Sequence, residues 1–202
     1  MNALWVLSRA TGMVSLVLLT VVMVLGIVVQ RQRRMGTLPR FVVVGLHRNA
    51  ALLAVALLVV HVATVVYDPY VSIRWVDAVV PVLGSYRPFW LGLGALAVDL
   101  VVALVATSLV RHRLPARAWR AVHWTAYACW PVALAHGIGT GTDLRATPGL
   151  VLAGACTAAV AAAAGWRWLA PRPAAAPLRA SALIRELRSA PSTRLRAGSS
   201  GR

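Results

Sequence analysis

The stretch Gly45 to Val62, GLHRNAALLAVALLVVHV, limits what this chain can become more than any other. It is apolar enough to lie inside a bilayer, yet it carries a histidine towards each end, His47 and His61. On an α-helix fourteen residues turn through about 1400°, some 40° short of four full turns, so both rings fall near one face. They stand about 21 Å apart along the axis, one towards each edge of a hydrocarbon layer of about 30 Å. A second stretch, RAVHWTAYACWPVALAHG from Arg120 to Gly137, repeats the arrangement with His123 and His136.

Composition agrees with a membrane setting. Of 202 residues 59% are hydrophobic and only 13% charged, with a formal net charge of +16. A basic balance of that size can signal nucleic acid, but here the arginines fall between and after apolar runs. The pattern argues for membrane topology and lipid contact, with no nucleic-acid partner. Cys129 and Cys156 both lie in apolar stretches and read as reduced packing residues.

The apolar runs predict an all-α integral membrane protein with five spans, about 3–29, 41–67, 89–110, 121–138 and 149–170. The first lacks a basic n-region and an A-x-A site, so it reads as a helix rather than a signal peptide. The loop 68–88 is aromatic, and its AVVPVL run is too short to cross and reads as interfacial. Residues 171–202 are rich in Pro, Ala, Ser and Arg and read as a basic, disordered tail, with SALIRELR at 181–188 able to form an amphipathic turn. The arginine-rich connections 30–40 and 111–120 outweigh the basic residues on the opposite side. The positive-inside rule then puts them and the tail in the cytoplasm, with the N-terminus outside a plasma or inner membrane.

In that arrangement the spans 41–67 and 121–138 run the same way, which pairs His47 with His123 near the inner face and His61 with His136 near the outer. Two layers of paired imidazoles would suit two stacked b-type haems, each iron held on both sides. The same histidines would also serve a proton relay, a transition-metal site or plain packing, so spacing alone leaves these open. His112, in RHR, reads as part of the basic loop. The spacing of thirteen from His123 to His136 falls roughly 140° short of whole turns, and Pro131 between them predicts a kink that re-aims His136. Haem propionates are anionic and want arginine. Arg40, Arg48 and Arg120 are placed for an inner group, Arg9 and Arg87 for an outer one. Trp130 falls between the two levels, as porphyrin packing or a shortened electron path. Asp99, halfway along its span, reads first as a buried hydrogen-bonding group to Thr107, Ser108 or Asn49, and otherwise as an imidazole's partner or proton carrier.

The paired spacings, with SYRPFWLGLGALAVDL, RAWRAVHWTAYACWPVALAHGIGTGTD and SRATG around them, resemble the ferric-reductase-like transmembrane domain family over about residues 3–168. That family includes NADPH oxidases, iron reductases and the haem-bearing membrane subunit that serves the periplasmic methionine-sulfoxide reductase. The resemblance implies two haem b groups on His47/His123 and His61/His136, a domain of about residues 1–170, and transmembrane electron transfer as the haem subunit of an oxidoreductase. Larger members carry a cytoplasmic flavin and nicotinamide domain, and the tail here has no Gly-rich dinucleotide fingerprint. The expected partner is therefore separate: a flavoprotein with FMN, a quinol, or an extracytoplasmic reductase. Two rivals stand beside this reading. One is a quinol-oxidising cytochrome anchor of a soluble dehydrogenase. The other is a small non-redox transporter or structural subunit.

Overall fold

A computed structural model describes residues 3–31, 34–35, 38–69, 71–169 and 185. The expected tail and its SALIRELR turn lie, apart from residue 185, outside the described residues, as do Arg33 and Tyr70. The chain is built from helices: α1 (Ala3–Arg31), α2 (Arg40–Tyr67), α3 (Trp75–Val79), α4 (Pro88–Leu109), α5 (Ala116–Trp124), α6 (Ala126–Thr140) and α7 (Thr147–Leu169). Among the described residues the one ladder is a two-residue antiparallel pair between α1 and α2, β1 (Arg34–Met35) with β2 (Leu38–Pro39), in the register Arg34 to Pro39 and Met35 to Leu38.

Local chemistry sets the helix ends. Pro39 stands as N-cap of α2 with φ −63°, and Pro88 opens α4 at the position where a missing N–H costs nothing. Asp68 ends α2 in an extended conformation, as expected of a residue before proline. Before α3, the Asp77 carboxylate accepts the Arg74 backbone N–H at 3.0 Å and its guanidinium at 2.8 Å, closing a reciprocal cap.

Among the described residues four helices are long and apolar enough to cross a bilayer: Ala3–Gln30, Arg40–Tyr67, Pro88–Leu109 and Thr147–Leu169. The run expected to form a single span over 121–138 is instead divided at Thr125 into α5 and α6. The division falls at Thr125 and not at Pro131, which α6 carries within its length. Thr125 N–H reaches the Val122 carbonyl at 2.9 Å, Ala128 N–H reaches the Thr125 carbonyl at 2.9 Å, and the Thr125 hydroxyl donates to Val122 at 2.7 Å. Such i to i+3 bonds wind the chain by about 120° per residue instead of 100°. The two histidines thereby gain rotation that a uniform helix would deny them.

α1 and α2 pair as an antiparallel hairpin, α4 packs on α6, and α1 also meets α6. Buried Met23, Ile27, Trp130 and Cys156 tie α1, α6 and α7 together. Both cysteines are buried and unbridged. The outward faces stay apolar, with Val6, Val14, Leu52, Leu53, Val59, Val102 and Val151 all exposed, as hydrocarbon around the bundle requires.

Candidate cofactor site

The fold brings the four histidines together in two pairs. The rings of His47 and His123 have centroids 6.4 Å apart, and those of His61 and His136 6.5 Å apart. Two imidazoles bonded from opposite sides to one metal ion at about 2 Å each would hold their centroids roughly 6 Å apart. Both pairs have that separation. α2 runs in the same direction as the α5–α6 run that carries His123 and His136, so the pairs form two levels about 20 Å apart along α2.

Three of the four rings are held by one device. His61 Nδ1 lies 2.7 Å from the Ser8 carbonyl, His47 Nδ1 3.0 Å from Val22, and His136 Nδ1 2.8 Å from Trp90. A carbonyl only accepts, so each Nδ1 carries the proton and each Nε2 keeps its lone pair for a metal. Four residues beyond each carbonyl stands a glycine: Gly12 after Ser8, Gly26 after Val22, Gly94 after Trp90. Side chains on a helix lean towards its N-terminus, so residue i+4 roofs the carbonyl of residue i. Glycine leaves that carbonyl open. A Cβ at Gly12 would stand 2.9 Å from His61 Cε1, one at Gly26 3.3 Å from His47 Cε1, and one at Gly94 2.5 Å from His136 Cε1. These notches are moulded to imidazole rings. His123 has no such notch. Among the described residues its Nδ1 is buried without a partner, and its ring stacks on Trp119 at 4.7 Å.

A cavity of about 270 Å³ opens beside the His61/His136 pair, with Gly12, Gly94 and Arg9 in its wall. The donor set suits a porphyrin better than a bare ion. Each level offers two nitrogens, and among the described residues no group of three or more His, Cys, Asp or Glu gathers to hold a metal alone. A macrocycle that brings four nitrogens of its own needs only two axial ligands.

The other expected site residues are placed as follows. Arg9 reaches the cavity, with its guanidinium bonded to the Asp143 carboxylate and to Thr142 Oγ1 at 2.6 Å, and 4.3 Å above the Trp5 ring. Arg87 donates to the Gly139 carbonyl at 2.9 Å, just past His136. Arg40 and Arg48 lie exposed on α2, and Arg120 is exposed and donates back to Ala116 at 3.2 Å. Trp130 is built into the core, its Nε1 donating to Thr20 Oγ1 at 2.9 Å. Asp99 is half-buried, and among the described residues its side chain shows no hydrogen bond to Thr107, whose hydroxyl donates to Ala103 at 2.6 Å.

Sequence reasoning missed the glycine notches and the Trp90 carbonyl. A signal for the first was present, since Gly12 and Gly26 are fourteen apart, the spacing of His61 and His47. Trp90 is fixed by packing, because a Cβ at Gly139 would fall 2.0 Å from its ring. That contact joins residues 49 apart and leaves no local pattern.

No curated protein and no solved structure matches this chain. The model of the ferric reductase like transmembrane component matches residues 10–136, from just before Gly12 to the last of the four histidines. This chain belongs to the ferric reductase like transmembrane family.

Proposed function

We propose that the chain carries electrons across a membrane by holding two b-type haems, one between His47 and His123 and one between His61 and His136. The observation that carries this reading is the pair of ring separations, 6.4 and 6.5 Å, at two levels on helices that run the same way. Family membership supports the membrane electron-transfer role. A haem at each level would supply a one-electron ferric/ferrous couple, and a histidine from each side would favour electron transfer over oxygen binding.

The chain's own residues supply the rest. The Ser8, Val22 and Trp90 carbonyls orient His61, His47 and His136 and raise their basicity as ligands. Leu16, Leu58, Val62 and Val98 line the cavity beside the outer pair and offer an apolar macrocycle contact. Arg9 brings a cation to that wall for an anionic propionate, with Asp143 as its resting partner.

The bundle counts five crossings in this reading, with α5 and α6 together making the fourth. The arginine-rich connections face the cytoplasm and the N-terminus lies outside. The donor and acceptor are separate molecules, of the flavoprotein, quinol or extracytoplasmic reductase class.

An absorption spectrum of the purified protein tests the proposal. Dithionite should raise a b-type α band equivalent to two haems per chain, and His61→Ala or His136→Ala should remove one of them. A colourless protein produced with haem supplied would refute it.

A further inference from the structure

The two levels are not built alike. Three imidazoles donate to a carbonyl in a glycine notch, and the fourth, His123, donates to none among the described residues. The register between α4 and α6 shows what is missing. Trp90 meets His136 and Ala97 meets Cys129, so each step along α4 is matched by one back along α6. Carried past Thr125 onto α5, which α4 also meets, that register puts Ala103 opposite His123. The residue four beyond Ala103, where a notch would need glycine, is Thr107. The Thr107 hydroxyl already donates to the Ala103 and Leu104 carbonyls, at 2.6 and 3.3 Å.

In place of a carbonyl, His123 has a stack. Trp119, one helical turn earlier on α5, lies nearly parallel to it at 4.7 Å with 19° between the planes. The Arg111 guanidinium sits 4.5 Å over the Trp119 ring. The inner ligand therefore faces a cation through an aromatic ring, where the others face a carbonyl dipole.

We infer that Arg111 and Trp119, acting through a His123 left without an acceptor, make the inner haem site more readily reduced than a carbonyl-anchored pair would be. The inference rests on the haem reading above. An acceptor on Nδ1 makes an imidazole a stronger donor and favours ferric iron. Withholding the acceptor and adding a nearby positive charge both favour ferrous iron. Arg111, Trp119 and Thr107 are thus positioning residues for one level only. A unit charge at the far side of this stack, in a medium of effective dielectric about 20, alters the ferric/ferrous ratio by roughly tenfold. For a one-electron couple that is about 59 mV.

Spectroelectrochemical titration of the haem-loaded full chain provides the test. The inner level is read alone in a His61→Ala background and the outer alone in a His47→Ala background. Arg111→Gln and Thr107→Gly should each lower the inner midpoint, the first by about 59 mV, and leave the outer unmoved. Arg111→Lys should restore most of the shift. An inner midpoint unmoved by both variants, with the b-type spectrum intact, overturns the inference and leaves the haem reading standing. So does an equal shift at both levels. Absence of haem from every variant and from the parent chain overturns both.

Discussion

Gly94→Ala gives the sharpest test of the notch geometry. The added Cβ would stand 2.5 Å from His136 Cε1 and 2.6 Å from Nδ1. Ordinary contact begins near 3.4 Å, so the imidazole has to retreat by about 1 Å. Retreat draws Nδ1 away from the Trp90 carbonyl, now 2.8 Å distant. Overpacking of this kind costs about 1–3 kcal/mol, and the lost hydrogen bond adds about 1–2 kcal/mol. Alanine recovers about 0.5–1 kcal/mol in helix propensity. The net of about 1–4 kcal/mol weakens outer-site ligation by roughly ten- to a thousand-fold. Haem per chain, measured by pyridine haemochromogen, should fall from two towards one, with the inner α band kept. The added Cβ stands at 2.9 Å in Gly12→Ala and 3.3 Å in Gly26→Ala, so their effects should be smaller in that order. Gly45→Ala and Gly154→Ala meet nothing within 4 Å and should retain full haem. If Gly94→Ala keeps two haems per chain with an unchanged spectrum, the notch is not what holds the ring.

Three further predictions concern the frame around the site. Thr20→Val leaves the buried Trp130 N–H without its acceptor and should cost about 1–3 kcal/mol, read as a lower Tm in detergent, while haem content stays at the parent level. Arg9→Gln breaks an ion pair whose partners are both partly exposed, so its stability effect should be no more than about 1 kcal/mol and should shrink in high salt. The Asp77 carboxyl is held below the usual carboxylate range, chiefly by hydrogen bonds from the Arg74 guanidinium and then from its backbone N–H. A lowered carboxylate stabilises the fold above its unfolded pKa of about 4 and loses that contribution as pH falls through the folded value. Amide exchange in 71–84 should therefore quicken only in acid below about pH 4, and Asp77→Asn should remove that dependence.

Much of the site was legible because helical spacing is a long-range ruler. His47 and His61 read as one face from their separation alone, and the pairing across two parallel spans followed from loop charge. The break at Thr125 was not legible. Pro131 is the obvious kinking residue, yet α6 continues through it, while a threonine that bonds its own preceding turn ends α5. That choice is made by tertiary packing, which a spacing argument does not see. The destination of Trp130 was equally hidden: its ring levels with the gap between pairs, but its N–H is claimed by Thr20, 110 residues earlier. Arg48 and Arg120 had the right charge at the right height and still ended on the exposed surface, because height along a helix says nothing of azimuth.

The matched fourteen-residue intervals, Gly12 to Gly26 on α1 and His47 to His61 on α2, make the hairpin behave like two gauge bars cut to one length. A single codon gained or lost between the glycines would slip one seat by about 100° and 1.5 Å while its neighbour stayed put. Only a compensating indel between the histidines would bring both seats back. Length drift should thus be tolerated between β1 and β2, where neither bar is touched, and purged within the bars.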